Sequence, residues 1–352
     1  MKKFLLIFLS GVFILNINAQ DNSNLPRVKI LATGGTIAGA GNAADRAGYK
    51  AGALPIDELL NAVPQIHKIA RVTGEQIASV GSQDMSIAIW QKLAVRINEI
   101  FSKNEADAVV ITHGTDTQEE TSYFLDLTVH YKNAVVITGS MRPATGISAD
   151  GPKNLYDAVT VAANPASKGR GVLVCFNESI FDGRDVVKIS TTKLNAFASP
   201  NTGPLGQVYD GKVEYYSVST REINVGSPFS VTLDSKIPKV DIVYMYADAD
   251  GSQINCAVNN GAKGIVVAGV GNGNFDKAFT EAITAAVKKG VIVCRGSRCV
   301  SGRVVLEDEI DDKTLGTIVS DDLNPAKARV LLMLGLMITT DKAKLQQYFF
   351  KY

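Results

Sequence analysis

Residues 27–41 read RVKILATGGTIAGAG, and the predicted fold depends on this stretch. The apolar run at 28–32 predicts a short buried β-strand that ends at a glycine pair. The loop at 33–36 then lies at the carboxyl end of the strand, which is the edge where open α/β sheets bind ligands. Its two glycines allow a close approach of the backbone, and Thr33 and Thr36 offer hydroxyl groups. Because such a threonine is often only a turn residue or a helix cap, the rest of the chain must decide whether the loop is a site.

Alternating strands and helices follow this first strand along the amino-terminal half. The chain has 352 residues, of which 46% are hydrophobic, and this is enough for two cores. Further strands are predicted over residues 68–72, 108–112, 134–138 and 171–176, and helices over 56–63, over 85–101 and from 150 onward. The alternation predicts a doubly wound α/β domain with a parallel sheet.

The pattern changes beyond residue 182 and resumes near residue 240. Short strands are predicted over 183–188 and 209–216, and residues 226–239 have the composition of a linker. Strands over 240–246, 264–268 and 291–294, with helices over 277–289 and 325–338, then predict a smaller α/β domain. We therefore expect four segments: a signal peptide (1–19), an N-terminal α/β catalytic domain (20–225), a linker (226–239) and a C-terminal α/β domain (240–352).

The first 19 residues have the layout of a secretory signal peptide. Lys2 and Lys3 precede an apolar run at 4–15, and Ala19 offers a cleavage point. A membrane anchor is the alternative, but the run is too short to span a bilayer. Since 36 basic residues nearly balance 35 acidic ones, the chain also lacks the basic footprint of a nucleic-acid binder. We expect a periplasmic protein with neither a nucleic-acid nor a membrane partner after the leader is removed.

Histidine and cysteine are scarce. The three histidines, His67, His113 and His130, are too few for a His-rich metal site or a Ser-His-Asp triad without special arrangement. Of the four cysteines, Cys175 and Cys294 lie in apolar predicted strands, where a buried free thiol is expected. The remaining two are Cys256 and Cys299, and the sequence leaves open whether Cys294 and Cys299 pair. We predict no metal site and no cofactor.

Two glycine-rich runs imitate a dinucleotide-binding motif. The run at 39–44 lies several residues past its strand, so it lacks the required strand–turn–helix context. The run at 269–274 does follow a strand, but its two asparagines suit polar ligand contacts better than a diphosphate cradle. Nucleotide binding is therefore disfavoured.

Hydroxyl side chains recur at the ends of two predicted strands. Thr36 follows the first strand, and Thr115 and Asp116 follow the strand at 108–112, so the two loops can converge on one ligand. A threonine hydroxyl is a weak nucleophile and needs activation, for which a Thr–Lys–Asp relay with Lys188 could serve. Alone, Asp116 reads as a helix cap and Lys188 as a surface residue. Similarly, Ser82 or Asp84 alone would be read as a cap of the helix at 85–101.

These segments together resemble the bacterial type II L-asparaginases. Residues 30–39 (ILATGGTIAG) and 110–117 (VITHGTDT) are similar to the two signature segments of that family. The resemblance continues in order over residues 81–85, 148–152, 182–185, 269–274 and 324–332, and so covers essentially the whole mature chain. It implies an amidohydrolase that converts L-asparagine to L-aspartate and ammonia without metal or cofactor.

The resemblance also implies roles for individual residues. Thr36 is expected to be the nucleophile that forms an acyl-enzyme, and Tyr49 to assist proton transfer on a mobile segment. Thr115, Lys188 and Asp116 would form a hydroxyl–amine–carboxylate relay, in which Lys188 must first lose its proton. The order of proton transfers, and which threonine attacks first, stays open.

Substrate binding and assembly follow from the same resemblance. Ser82, Gln83 and Asp116 would hold the α-carboxylate and α-amino groups of the substrate, and backbone amides near Gly35 and Gly114 would form an oxyanion site. Family members are homotetramers built as dimers of dimers. Asn274 and Glu309 match the positions that a neighbouring subunit contributes to each site.

Two other functions remain open at this stage. A dual glutaminase-asparaginase shares every motif, because L-glutamine differs from L-asparagine by only one methylene. A periplasmic amino-acid-binding protein would also be exported, two-domain and α/β, but it would bind without turnover. Cytoplasmic relatives acting on other amides share the signatures, and the predicted signal peptide argues against them.

Overall fold

The computed structural model describes residues 22–41, 50, 52–222 and 224–352. The predicted signal peptide at 1–19 lies outside the described residues. Within them, two sheets of mainly parallel strands lie in sequence order along the chain, as the alternating pattern predicted. The exact domain limits stay predictions.

The larger sheet has eight strands. Five are parallel: β1 (Arg27–Gly34), β2 (Arg71–Val80), β3 (Ala108–Thr112), β4 (Ala134–Thr138) and β5 (Val172–Phe176). Three antiparallel strands extend one edge: β6 (Ser179–Asp182), β9 (Gly206–Tyr209) and β10 (Lys212–Tyr215). Strands β7 (Val187–Lys188) and β8 (Phe197–Ala198) pair separately.

The strand order of this sheet creates a switch point. Strand β1 is flanked by β2 on one side and by β3 on the other, and the chain leaves β1 toward β2 but leaves β3 in the opposite direction, toward β4. A crevice opens where the order reverses, at the carboxyl ends of the two strands. The loops that follow β1 and β3 therefore meet at the point where this fold binds ligands.

Helices cover both faces of the larger sheet. They are α1 (Ile56–Asn61), α2 (Ile87–Ser102), α3 (Gln118–Thr128) and α4 (Gly151–Ala163). Successive residues of β3 enter different cores: Val110 packs in the core with α1 and α4, whereas Val109 and Ile111 pack in the core with α2 and α3. Since both faces are buried, these strands read as continuous apolar runs rather than as alternating ones.

The second sheet is smaller and wholly parallel. Its strands are β11 (Val240–Tyr244), β12 (Gly264–Gly269), β13 (Ile292–Ser297) and β14 (Ile318–Val319). Its helices are α5 (Ser252–Asn259), α6 (Lys277–Lys288), α7 (Asp312–Leu315), α8 (Pro325–Leu336) and α9 (Lys342–Lys351). Helices α5 and α6 pack with one face in a core of their own.

Helix α8 joins the two sheets through a shared core. Its side chains Leu331 and Leu334 belong to the same apolar cluster as Trp90 of α2 and Phe124 of α3. Val266 of β12 belongs to this cluster as well. Eight of the twelve residues of α8 are buried, and seven of these eight are apolar or glycine, because the helix lies between α3 and the smaller sheet.

One predicted strand was misplaced, and another interval contains a turn as well as a strand. Residues 64–68 form a 3₁₀ turn, and the strand runs over Arg71–Val80 instead of 68–72. Strand β2 is an edge strand whose residues are mostly exposed or half-buried, so it lacks the apolar run that marks the central strands. Strands β9 and β10 form a hairpin, so the interval 209–216 contains its turn and its second strand, with Asp210 and Gly211 at φ +49° and +71°. An Asp-Gly pair with two positive φ angles is the type I′ turn of two-residue hairpins.

Three other features differ from expectation or were left open. Within the interval 183–188 only Val187–Lys188 is a strand. Helix α2 begins at Ile87, and its cap is Ser86, whose Oγ accepts the Ile89 N–H, rather than Ser82 or Asp84. All four cysteines are free, so Cys294 and Cys299 do not pair.

No helix in the described part of the chain combines the length and apolar character needed to cross a membrane.

Candidate active site

The loops after β1 and β3 touch through their backbones at the switch point. Gly34 and Gly35 have φ angles of +105° and +79°, which only glycine adopts readily. A Cβ atom on Gly35 would lie 2.3 Å from the Gly114 nitrogen, so no side chain fits between the loops. Thr33 Oγ1 donates to the Thr112 carbonyl over 2.9 Å and ties the two strand ends together. Thr36 follows directly and is buried, with 7% of its surface exposed.

The predicted hydroxyl–amine–carboxylate relay is assembled next to this contact. Lys188 Nζ lies 2.8 Å from Thr115 Oγ1 and 2.6 Å from Asp116 Oδ1. The Lys188 side chain is 16% exposed, while that of Asp116 is 59% exposed. Lys188 is therefore not a free surface residue, and the Asp116 carboxylate faces the ammonium rather than capping α3. The arrangement gives the Thr115 hydroxyl an amine partner that a carboxylate orients.

Ser82 joins a third loop to this group. Its Oγ accepts the Asp116 N–H over 3.1 Å, and its carbonyl accepts the Thr117 hydroxyl over 2.8 Å. A Cβ atom on Gly114 would lie 2.6 Å from Ser82 Oγ, so the loop after β3 packs directly on Ser82. Ser82 is itself 4% exposed. Because Ser86 caps α2, the Ser82 side chain is left to serve the loop at 114–117.

His113 holds the adjacent peptide in place as a neutral ring. The Gly114 carbonyl can only accept a hydrogen bond, so His113 Nδ1, which lies 2.6 Å from it, carries the ring proton. Nε2 of the neutral ring is then the acceptor for the Thr121 hydroxyl at 2.9 Å, and Thr121 Oγ1 accepts the Trp90 indole N–H over 2.7 Å. Complete burial lowers the pKa of His113 to about 4, which keeps the ring neutral. Since the peptide is trans and planar, the Thr115 N–H points away from this carbonyl.

The Gly35 N–H itself is not free to serve as an oxyanion donor. The Gly35 N–H donates to the Val80 carbonyl over 2.8 Å, so this amide holds β1 against β2. Gly35 instead serves the site through its lack of a side chain. Gln83 is exposed, and its Nε2 contacts Asp84 Oδ2 at 3.3 Å. Tyr49 lies outside the described residues.

Asn274 and Glu309 form a pair within the carboxy-terminal part of the chain. Asn274 Nδ2 donates to Glu309 Oε2 over 2.6 Å, and Glu309 is exposed. The Asn274 Oδ1 atom is buried and has no hydrogen-bond partner. Asn274 forms an antiparallel bridge with Val270, which closes the glycine-rich turn after β12. The pair thus presents a carboxylate on the surface of the smaller domain.

Sequence reasoning missed the residues that hold Lys188 from behind. Glu119 Oε2 accepts the Lys188 backbone N–H at 2.6 Å, and Glu119 Oε1 accepts from Asn324 Nδ2 at 2.9 Å. Glu119 is an acidic residue in the first turn of α3. A negative charge is common at that position, so only the fold reveals its contact with Lys188.

Among the described residues, no group of three or more His, Cys, Asp or Glu side chains is arranged to hold a metal ion.

Comparisons with known proteins identify the family of this chain. The family model described as "Asparaginase, N-terminal" matches residues 27–221, and that described as "Glutaminase/Asparaginase C-terminal domain" matches residues 239–349. The "Probable L-asparaginase periplasmic" of Haemophilus influenzae is 48% identical and covers 97% of each chain. The "L-asparaginase 2" of Escherichia coli is also 48% identical, over 93% of this chain and 94% of its own.

A solved structure gives the same fold at similar identity. The crystal structure of a "Probable Cytoplasmic L-asparaginase" from Campylobacter jejuni has a TM-score of 0.90 and 47% identity. It covers 93% of this chain and 100% of its own. A "Glutaminase-asparaginase" of Pseudomonas fluorescens is 40% identical over 95% of this chain and 92% of its own. With two family models matched in order over most of its length, this chain belongs to the asparaginase family.

Proposed function

We propose that this chain hydrolyses the side-chain amide of L-asparagine, yielding L-aspartate and ammonia. The observation that carries the proposal is the Lys188 ammonium, within hydrogen-bond distance of both Thr115 Oγ1 and Asp116 Oδ1 at the switch point. The names of the relatives reported above support the same reaction. None of those relatives is named as an amino-acid-binding protein, so the alternative of binding without turnover gains no support from them.

The proposed reaction proceeds in two steps. Thr36 Oγ attacks the amide carbon, the C–N bond breaks, and ammonia leaves with the proton that the nucleophile gave up. Water then attacks the resulting ester, which releases L-aspartate and restores the Thr36 hydroxyl. The relay of Thr115, Lys188 and Asp116 supplies and receives these protons, for which Lys188 must be neutral when it accepts one. The Thr115 N–H, aimed away from His113, is a candidate oxyanion donor.

Recognition of the substrate rests on its two charged groups. An α-amino acid is a zwitterion, so it requires a carboxylate for its ammonium and hydrogen-bond donors for its own carboxylate. Asp116, with 59% of its side chain exposed, can take the ammonium group. Ser82 and Gln83 lie on the neighbouring loop and can donate to the α-carboxylate. Tyr49 is proposed to assist proton transfer from the segment that follows Thr36.

The test is ammonia release by the purified protein, with L-asparagine and L-glutamine assayed side by side. Release mainly from asparagine is expected, since the asparaginases reported above are more similar to this chain than the glutaminase-asparaginase. Comparable release from both substrates would identify a dual enzyme. The Thr36→Ala variant should fold and assemble normally but lose hydrolysis. Full activity in that variant would refute the nucleophile assignment.

We further propose a homotetramer, a dimer of dimers, in which Asn274 and Glu309 complete a neighbour's site. Both are offered by the surface of the smaller domain. Mixing and reassembling Thr36→Ala and Glu309→Ala chains tests this sharply. Shared sites predict that the mixture regains activity, because a chain with intact Thr36 can borrow Glu309 from its neighbour. If Glu309 acts on its own chain, the mixture stays as inactive as its components, and a fully active monomer would also contradict the proposal.

Finally, we propose that the protein is exported to the periplasm by the segment at 1–19. The supporting observation is its basic, apolar and small-residue layout. Expression of the full chain in a Gram-negative host should place the activity in the osmotic-shock fraction. Mass spectrometry should show a chain shortened at about residue 19. Intact protein retained in the cytosol would contradict export.

A further inference from the structure

A buried lysine from the smaller domain grips the segment that leads to Lys188. Lys327 lies in the first turn of α8, and 1% of its surface is exposed. Its Nζ donates to the carbonyls of Gly183 at 3.1 Å and Val186 at 2.5 Å, and also to that of Arg184. Three donors of one ammonium thus meet three carbonyls within four consecutive residues. Lys188 follows two residues later.

Burying an ammonium group is costly unless hydrogen bonds or an opposite charge compensate for the lost hydration. None of the ion pairs in the described part of the chain includes Lys327, so carbonyl dipoles alone contact its ammonium directly. Burial lowers its pKa to about 8, although Glu119, Asp185 and Asp182 nearby favour the charged form. An apolar residue at this place in α8 would avoid the desolvation but would leave the Arg184 and Val186 carbonyls without donors, whereas the Gly183 carbonyl would keep the Ser122 hydroxyl at 2.9 Å. The hydrogen bonds therefore define the path of the segment at 183–186.

The same turn of α8 reaches Lys188 by a second route. Asn324 caps α8, its Oδ1 accepting the Lys327 N–H at 2.9 Å. Its Nδ2 donates to Glu119 Oε1, and Glu119 Oε2 accepts the Lys188 N–H at 2.6 Å. A third link is the ion pair between Arg184 and Asp322, whose Nη2 and Oδ1 atoms are 2.6 Å apart. The backbone before Lys188 and the Lys188 amide itself are both held from the start of α8.

We infer that Lys327, assisted by Asn324, is a positioning residue for Lys188, so that the smaller domain sets the geometry of the relay in the larger one. The inference rests on the proposed role of Lys188 in hydrolysis. A lysine side chain has four rotatable bonds, so its Nζ reaches Thr115 and Asp116 reliably only if its backbone is fixed. Misplacement by about 1 Å can cost about a hundredfold in rate.

The test is the Lys327→Met variant of the full chain, which keeps the length of the side chain but removes all three donors. We expect kcat for L-asparagine to fall at least tenfold while KM changes less than about threefold, because Lys327 lies behind the relay and not at the substrate groups. Gln346→Leu is the matched control. Gln346 is also buried in the smaller domain and bonds only backbone atoms of Val319 in the described structure. It should lose stability but keep its kcat.

A double-mutant cycle separates positioning from general damage. In a Lys188→Met background, Lys327→Met should change the residual kcat by less than about twofold, since its route to the chemistry is already removed. An equal loss in both backgrounds, or a kcat within twofold of wild type in the single variant, overturns the inference. If Lys327→Met fails to fold, Asn324→Ser decides: serine keeps the helix cap but cannot donate to Glu119, and kcat should fall severalfold. Wild-type protein without ammonia release would overturn the proposed function as well, whereas an active wild type with an unaffected variant overturns only the positioning role.

Discussion

Replacing Arg295 by methionine should destabilise the folded chain strongly and loosen the pair of Asn274 and Glu309 in the smaller domain. Arg295 and Asp312 are each 1% exposed and form a two-point ion pair, with distances of 2.5 Å and 2.6 Å. Arg295 also donates to the carbonyls of Asn272, Gly273 and Val305. These carbonyls belong to the two loops that lead to Asn274 and Glu309.

The magnitude follows from what methionine leaves behind. Breaking a buried ion pair by removing one partner costs about 3–5 kcal/mol, since the other charge stays buried without compensation. Burial alone would raise the pKa of Asp312, and hydrogen bonds from Arg295 and Thr317 hold it below its usual range instead. Three carbonyls lose their donor as well, so we expect a loss near the upper end of that range. The double variant Arg295→Met, Asp312→Leu removes both charges and should be less destabilised than the single variant.

The assay is urea-induced unfolding at a fixed protein concentration, followed by far-ultraviolet circular dichroism. The single variant should lose about 4 kcal/mol, and its KM for L-asparagine should rise more than its kcat falls, because the loops of Asn274 and Glu309 lose their anchor. A loss below about 1 kcal/mol would refute the reasoning, as would a double variant less stable than the single one.

Two further predictions concern the larger domain. Gly114→Ala would place a Cβ atom 2.6 Å from Ser82 Oγ and displace the serine that binds the Asp116 amide. We expect kcat/KM to fall at least tenfold while the circular dichroism spectrum stays unchanged. Activity within twofold of wild type would show that the loops adapt freely. Burial raises the pKa of Asp157 to about 6 although Lys153 pairs with it, so the folded protein binds an extra proton between about pH 6 and pH 4. The wild type should therefore gain up to about 3 kcal/mol of stability relative to Asp157→Asn as the pH falls from 7 to 4. Urea unfolding at each pH measures this difference. If stability depends on pH in the same way for the two proteins, the pKa of Asp157 is not raised.

The sequence predicted strand positions most accurately where both faces of the strand are buried. Strands Ala108–Thr112 and Ala134–Thr138 are confirmed residue for residue, because a central parallel strand must be apolar on both faces. The edge strand Arg71–Val80 was misplaced for the converse reason, since most of its residues are not buried. The hairpin turn at Asp210 and Gly211 could have been predicted, because an Asp-Gly pair is a known sequence signal for a two-residue hairpin turn.

At the site, the local motifs identified the relay but not its support. Thr115 and Asp116 are adjacent, and the resemblance to a known family indicated Lys188 although it lies 72 residues from Asp116. Lys327 lies in the segment 324–332 that contributed to the resemblance, but nothing in that segment indicated its hydrogen bond to the Val186 carbonyl, 141 residues away. A buried lysine within an apolar helix shows its partners only after the chain has folded, because backbone carbonyls carry no sequence signature.

The core that the two halves share through α8 has a consequence for how the protein folds and unfolds. Trp90, Phe124, Val266 and Leu331 pack in one cluster, although two separate family models describe the two halves of the chain. A cluster of this kind cannot be divided without exposing an apolar face on each half, so the halves should melt together in one cooperative transition. Until α8 packs, the amino-terminal half therefore keeps the apolar face of α3 uncovered. Surface exposed in this way during folding favours aggregation.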